Sequence, residues 1–462
     1  MVDIIMKIKE IVANNKRPDL LYGSILKSLV LLSVPVMLSN FSHTLFNLVD
    51  AFWVGKLGKE AFSAPTISFP IIFFIISFGS GLSVAATALI AQYTGAGKKD
   101  KSEIIAGQVI TVMLFFSLVI STLGIIFLNN ILSFLKVPTS VWNYTHQYIF
   151  IILLGMPVYF IFIAYQGIRF GLGDTFTPML IQFIVVGLNI ILDPFLIFGI
   201  WIFPRLDVKG AAIATVFSRA VAAIVIIYWI VRDREINIKL KHLIPNFNYI
   251  GKILKIGLPA SLGQSGTSLG FILMISFVNR FGASVISAFG IGNRIVILAM
   301  LPAMGIASAV ATIVGQNLGA DNIKRAVKII WYAMAMVASI LLIWSTFTFV
   351  LGQYVVKFFI NNEEVIFYGK EFFKIVPYST VFFGLAFIMN GAFQGSGHTV
   401  PVMIVTLSRL WVFRIPISYF LAFKLNYGAK GIWWGFFISN VLAGILAYVI
   451  FISGKWKHKI IN

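Results

Sequence analysis

Two carboxylic acids sit inside long apolar stretches of this chain: Asp50, in Asn47-Leu-Val-Asp50, and Asp193, in Asn189-Ile-Ile-Leu-Asp193-Pro194. They are the only two of the sixteen Asp and Glu so placed. An acid at a bilayer centre costs about 2.5–3.5 kcal/mol on insertion scales, so such groups are functional candidates by default. Asn189 and Asp193 are spaced i, i+4 and share one helix face. Pro194 has no N–H and loosens the preceding turn, which leaves a carbonyl near Ile190 available. Ala211 and Thr215, also spaced i, i+4 on the next apolar stretch, add a carbonyl and a hydroxyl. Carboxylate, amide oxygen, carbonyl and hydroxyl are an oxygen set suited to Na+ or to a proton relay. The alternatives are structural: Asp50 lies about a turn from the end of its span beside Trp53 and can reach the interface, and Asp193 can bond across helices.

Other polar residues inside the apolar stretches are fewer. His43 is spaced i, i+7 from Asp50 and shares its helix side, as a cavity-lining or a packed polar residue. Arg219, Arg294, Arg409 and Arg414 also fall inside. Arg219 reads as a snorkelling or ion-paired residue; the other three either line a second-half cavity that meets anionic groups or hold the structure. The chain has no cysteine, which excludes disulfides, thiolate metal sites and cysteine nucleophiles. The five histidines show no paired metal-ligand spacing. Gly95-Ala-Gly97-Lys98-Lys99 lacks the G-x-x-x-x-G-K-[ST] spacing of a phosphate loop and follows an apolar helix rather than a strand. Nothing points to an enzyme, to ATP or to a resident cofactor.

The elements that position these residues follow from composition. Of 462 residues, 59% are hydrophobic and 11% charged, against roughly 45–50% and 25% in soluble domains. Apolar runs of about 18 or more residues read as membrane-spanning helices. Twelve are expected, near 25–53, 65–90, 104–128, 147–170, 176–200, 210–231, 250–279, 284–312, 327–350, 372–394, 400–423 and 430–453. The fold class is therefore an all-α polytopic membrane protein. An even span number puts both termini on one side, and Lys and Arg are more numerous in that side's loops, which places both termini in the cytoplasm of a multi-pass protein of the cell membrane. The formal charge of +20 is accounted for by this bias, and nucleic acid is not an expected partner.

Shifted by 224 residues, positions 33–98 align with 257–322 without a gap, with 14 identities in 66 positions. These include Pro35/Pro259, Gly58/Gly282, Gly81/Gly305 and the polar Q-x-x-G-A ending, Gln92–Ala96 and Gln316–Ala320, which apolar composition cannot explain. Gly171-Leu-Gly-Asp-Thr175 corresponds to Gly395-Ser-Gly-His-Thr399, and Lys209-Gly210 to Lys430-Gly431. The expected organisation is a cytoplasmic lead-in 1–24, an N-terminal six-helix lobe 25–231, a basic cytoplasmic connector 232–249, a C-terminal six-helix lobe 250–453 and a cytoplasmic tail 454–462. Such repeats are common in secondary transporters, with substrate held between halves. Pro35, Pro194 and Pro259 are expected bending points.

Twelve spans in two six-span repeats, each with Q-x-x-G-A, resemble the multidrug and toxic compound extrusion (MATE) family. Asn47-Leu-Val-Asp50, Gly171-Leu-Gly-Asp-Thr-Phe-Thr-Pro178, Asn189…Asp193-Pro194 and Gly210-Ala-Ala-Ile-Ala-Thr215 carry the likeness. The restriction of intramembrane acids to the first half is similar to the prokaryotic DinF-like branch. The resemblance implies V-shaped lobes, a monomer, and export of organic cations or amphiphiles in exchange for H+ or Na+. It implies a first-lobe cation site of Asp50, Asn189, Asp193, Ala211 and Thr215, with Na+, where used, at Asp50, Asn189, Asp193 and Thr215. His43, Phe46, Gln166, Arg294, Arg409 and Arg414 are the expected substrate-cavity residues. Arg169 departs from the family pattern, in which the basic residue directly precedes the glycine. A flippase for a lipid-linked anionic substrate, of the same fold superfamily, is the alternative that cavity-facing arginines would favour.

Overall fold

The structure is a computed structural model that describes residues 19–232 and 235–461; residues 1–18 of the expected lead-in, two connector residues and Asn462 lie outside it. Among the described residues fourteen longer helices carry the fold, besides two short α-helices, Leu128–Phe134 and Leu240–Leu243. The first seven are α1 (Ile25–Gly55), α2 (Lys59–Gly95), α3 (Lys99–Ile126), α4 (Thr139–Leu154), α5 (Met156–Gly171), α6 (Phe176–Phe198) and α7 (Val208–Arg232). The second seven are α8 (Phe247–Asn279), α9 (Ala283–Gly319), α10 (Ile323–Phe359), α11 (Glu363–Ile375), α12 (Ser379–Gly395), α13 (Thr399–Lys424) and α14 (Gly428–Ile452). Among the described residues ten are individually long and apolar enough to cross a membrane, and the number is twelve when each bent pair, α4–α5 and α11–α12, is counted as one span.

The breaks between consecutive helices do not fall at the prolines expected to bend. Helices α1, α6 and α8 run unbroken through Pro35, Pro194 and Pro259. Instead α4 and α5 meet at 50° around Gly155, and α11 and α12 at 53° around Val376-Pro377-Tyr378. Pro157 and Pro377 lack the N–H that would close the next turn, so the helix breaks just ahead of or at them. Both broken spans consequently start earlier than their apolar runs, at Thr139 and Glu363.

The Q-x-x-G-A repeat ends a helix. In α2 the Ala96 N–H donates to the Gln92 carbonyl (2.9 Å), and in α9 the Ala320 N–H donates to that of Gln316 (3.0 Å). The chain then leaves through a left-handed residue, Gly97 (φ 69°) in one copy and Asp321 (φ 58°) in the other. A left-handed exit is a standard helix terminus, which explains the glycine run without any phosphate.

Contacts divide the chain into two units, and the divisions fall inside α1 and α8. Among the described residues, unit 1 comprises Leu38–Ser261 and unit 2 comprises 19–37 together with 262–461. The first part of α1 therefore packs with helices of the second repeat, and the first part of α8 with helices of the first. Within unit 1, Ser261 Oγ donates to the Phe78 carbonyl (2.7 Å), and a Cβ on Gly81 would lie 2.2 Å from the Ser261 nitrogen. Gln108 of α3 donates to the carbonyls of His242 and Ile244 (both 2.7 Å) and accepts from the Asn246 N–H (2.8 Å), which fixes the approach to α8. Unit 2 repeats the scheme. Leu29 and Leu32 of α1 join a core with Val310, Ile313 and Ile330. A Cβ on Gly305 would meet Met37 Cγ at 2.6 Å and the Ser33 carbonyl at 2.8 Å, and Asn317 and Arg325 hold the Leu20 carbonyl at 3.0 and 3.3 Å.

Candidate functional site

Unit 1 brings the cation-site residues together. Asn189 and Asp193 of α6 are fully buried, and the Asn189 amide donates both to Asp193 Oδ1 (2.9 Å) and to Thr215 Oγ1 of α7 (3.4 Å). Ala211, one turn before Thr215, is also fully buried. Gly210 permits this closeness, because a Cβ there would lie 2.4 Å from the Leu196 carbonyl. Asp50 of α1 is buried and within electrostatic range of Asp193. Asp50 Oδ1, Asp193 Oδ2 and Asn189 Oδ1 are buried with no hydrogen-bond partner among the described residues. A buried acceptor without a donor is costly, and a bound proton or cation would satisfy this group of oxygens. No group of three His, Cys, Asp or Glu side chains suited to a metal ion occurs among the described residues, so a cation here would draw on amide and hydroxyl oxygens as well as the two carboxylates.

Tyr148 of α4 belongs to the same group and was missed from the sequence. It is buried and within electrostatic range of Asp50, Asp193 and Arg219. The apolar run starts at 147, which puts Tyr148 at a span edge; because α4 begins at Thr139, it lies well inside the broken span.

Next to this group is a cleft within unit 1. It is lined by His43 and Phe46 of α1, Tyr159 and Phe162 of α5, Gln182 and Val185 of α6, and Arg219 and Ala222 of α7. His43 Nδ1 sits 3.3 Å from the Asn47 amide, and its ring stacks on Phe46 with centroids 6.2 Å apart. The Arg219 guanidinium lies 3.8 Å above the Tyr159 ring and within electrostatic range of Asp50 and His43. Arg219, read from the sequence as snorkelling or ion-paired, instead lines the cleft, and no carboxylate lies within ion-pair distance of it among the described residues.

The other residues expected in a substrate cavity do not line this cleft. Gln166 is half-buried on α5 and does not line this cleft; Arg294 is exposed on α9. Arg409 and Arg414 are buried in unit 2, in a π-helical stretch of α13, Ser408–Arg414. Arg414 donates to Ser439 Oγ (3.0 Å) and Asn440 Oδ1 (2.7 Å), and Asn440 donates onward to Ser379 (3.0 Å). Arg409 lies 3.9 Å above Phe383. Arg169 also has a structural position: it pairs with Asp174, whose carboxylate caps the next helix through the Thr177 N–H (3.0 Å) and hydroxyl (2.6 Å).

Comparison with known proteins bears on the family and the fold. The MatE family profile matches residues 35–195 and 259–420. The chain is 29% identical over 446 residues to the probable multidrug resistance protein YpnP of Bacillus subtilis (strain 168), covering 96% of this chain and 98% of that one. It is 26% identical over 443 residues to a protein named FAD transporter from Shewanella oneidensis, with 94% and 96% covered. Among solved structures, it superposes with a TM-score of 0.87 and 27% identity on a MOP superfamily transporter from Pyrococcus furiosus Vc1, over 95% of this chain and 98% of that one. That transporter is described as having a binding pocket of reverse polarity that suggests a different function.

Proposed function

We propose that this chain, which belongs to the MatE family of membrane transporters, is a secondary active efflux transporter that exchanges H+ or Na+ for cationic or amphiphilic organic compounds. The observation that carries this reading is the group of buried, unpartnered oxygens on Asp50, Asn189 and Asp193, with Thr215 and Ala211 beside them, in one unit of a duplicated fold. The chemistry supports exchange in three ways. Two carboxyls within range of each other are poised to take up a proton or cation. Asn189 bonds Asp193 on α6 and Thr215 on α7, so a change in the charge of Asp193 is felt by α6 and α7 together. Asp50 lies on α1, whose first part packs in unit 2, so its state bears on a helix that belongs to both units.

Coupling requires that substrate and ion differ in affinity for two states of access. Both termini are assigned to the cytoplasm of the cell membrane by the distribution of Lys and Arg, and the functional unit is taken to be a monomer. Arg414 is hydrogen-bonded inside unit 2 and Arg409 is buried against Phe383, which weakens the flippase reading that rested on them. The relative named an FAD transporter widens the substrate range to be tested beyond cations.

The test is efflux of a fluorescent lipophilic cation from proteoliposomes with ΔpH and ΔNa+ imposed separately. Transport driven by either gradient supports exchange and identifies the ion. No response to either overturns it.

A further inference from the structure

The two repeats treat one helix face in opposite ways. In unit 1 the face of α3 that bears Gly107, Gln108 and Thr111 is covered by the connector, whose short helix Leu240–Leu243 lies on it. Thr111 Oγ1 donates to the Leu243 carbonyl (2.8 Å), and a Cβ on Gly107 would lie 2.4 Å from the His242 carbonyl oxygen. At the repeat offset of 224 the counterparts on α10 are Trp331, Tyr332 and Ala335. All three are exposed, the two rings at 49% and 47%. An indole where unit 1 needs glycine leaves no room for a segment packed as closely as the connector is. The charge changes too. Asp100 of α3 has Lys324 as its counterpart and Ile104 has Lys328, and Lys324, Lys328 and Trp331 share one side of α10.

The tail adds lysines at the same end of unit 2. Lys459 pairs with Asp321, just ahead of α10 (2.7 Å); Trp331 meets Phe451 edge-on, and Phe451 stacks on the buried Trp456. Trp456 is flanked by Lys455 and Lys457, both exposed. Lys324, Lys328, Lys455 and Lys457 have no hydrogen-bond or ion-pair partner among the described residues. The described acids at this end are engaged: Asp321 by Lys459, and Asp19 by the N–H groups of Leu21 and Tyr22. With 37 residues, α10 is about 55 Å long against roughly 30 Å of hydrocarbon, so a centred span leaves about 12 Å outside it at each end. Lys324 and Lys328 fall within that margin, and Trp331 and Tyr332 at its inner limit, the level at which interfacial Trp and Tyr collect.

We infer that this face of α10, with the tail lysines beside it, is a binding site for an anionic phospholipid of the adjoining leaflet. The four lysines hold the headgroup phosphate, the Trp331 and Tyr332 rings sit at the glycerol level, and the acyl chains run along α10 past Ala335. A zwitterionic lipid offers the same apolar fit without the net charge, so the lysines set the preference. The lipid thus covers in unit 2 the face that the connector covers in unit 1. The competing occupant is the lead-in, residues 1–18, but its four Lys and Arg against two acids give it the same sign as the lysines it would meet. The inference needs only that α10 crosses a membrane, and it is independent of the ion or solute exchanged.

The experiment measures binding to the purified full-length protein in detergent, by native mass spectrometry, of dioleoylphosphatidylglycerol, dioleoylphosphatidylcholine and glycerol 3-phosphate. Wild type should bind the phosphatidylglycerol at least about tenfold more tightly than the phosphatidylcholine, and glycerol 3-phosphate, which lacks the chains, far more weakly than either. Combined Lys324→Gln, Lys328→Gln, Lys455→Gln and Lys457→Gln should bring phosphatidylglycerol down to the affinity of phosphatidylcholine and leave the latter unchanged. The pair Lys324→Gln and Lys328→Gln should lose part of the preference, which keeps the test available if the fourfold variant is unstable. Lys59→Gln, Lys357→Gln, Lys370→Gln and Lys424→Gln together remove the same charge from the other side of the membrane and should keep the preference. Trp331→Ala should weaken both lipids alike, since the ring supplies contact and not charge. Equal binding of the two lipids by wild type overturns the inference and hands the face to another occupant, residues 1–18 first. A preference that survives the fourfold variant, or that falls as far in the control set, overturns it as well. So does binding of glycerol 3-phosphate as tight as that of the lipid, which would mark a site for soluble phosphates.

Discussion

In unit 1 the guanidinium of Arg219, on α7, lies over Tyr159; in unit 2 that of Arg409, on α13, lies over Phe383. At the repeat offset of 224 residues Phe383 is the counterpart of Tyr159, and Arg409 that of the cleft-lining Val185. At the offset of 221 that pairs Lys209-Gly210 with Lys430-Gly431, Arg219 has Asn440 as its counterpart, and Asn440 accepts from Arg414. Both repeats thus keep an arginine over a ring but supply it from different helices. In unit 2 the arginine comes from the position that lines the cleft of unit 1, and its neighbour Arg414 is tied to Ser439 and Asn440. In unit 1 the acids and the arginine keep polar atoms to spare. The lesson is that the second copy has built Arg414 into internal bracing with Ser439 and Asn440, while the buried acids of the first copy keep oxygens without a partner.

Five substitutions test this contrast. The largest effect is expected from Asp193→Asn, which should abolish gradient-driven export in proteoliposomes while leaving the protein folded, since the amide is of equal size; wild-type pumping by this variant would refute a coupling role for unit 1. Next come the paired glycines. Gly81→Ala drives a methyl against the Ser261 backbone, whereas Gly305→Ala meets first the flexible Met37 side chain. Overpacking of this kind costs about 1–3 kcal/mol, and Gly81→Ala should give the larger fall in melting temperature; the opposite order would show that the two exchanged helices are held unequally. Arg414→Leu leaves Ser439 and Asn440 short of a partner, at about 1–3 kcal/mol. It should lower thermal stability without changing which ion drives transport. A changed ion preference would mean unit 2 is more than bracing. The smallest effect is expected from Thr215→Val, which removes one long contact to Asn189 and should shift the ion dependence of transport by a few-fold at most, read as the half-saturating Na+ or H+ concentration.

Much of this was legible in the chain itself, for reasons that differ by residue. Apolar runs reveal spans because the bilayer demands a fixed length of them. Asp50, Asn189 and Asp193 stand out because polar groups in such runs are rare and because a spacing of four puts two of them on one face. Tyr148 was hidden because Gly155 and Pro157 break a span inside an apolar run, and hydropathy does not register a bend. Arg219 and Arg414 look alike in sequence; only the placement of Ser439 and Asn440 on a neighbouring helix separates a satisfied guanidinium from an unsatisfied one. The assignment of α1 and α8 to different units along their length also escapes the repeat, since internal similarity records which segments are copies and not which segments pack.

That last feature bears on how such a chain could have arisen. The opening stretch of α1 completes the core of unit 2, and the opening stretch of α8 completes that of unit 1. A six-span precursor made from a single repeat could not have filled both roles alone. It would have had to lend its opening segment to a second copy and borrow one in return, as a segment-swapped homodimer. Fusion through the present connector then turned a concentration-dependent assembly into an intramolecular one, and freed the two copies to diverge in charge.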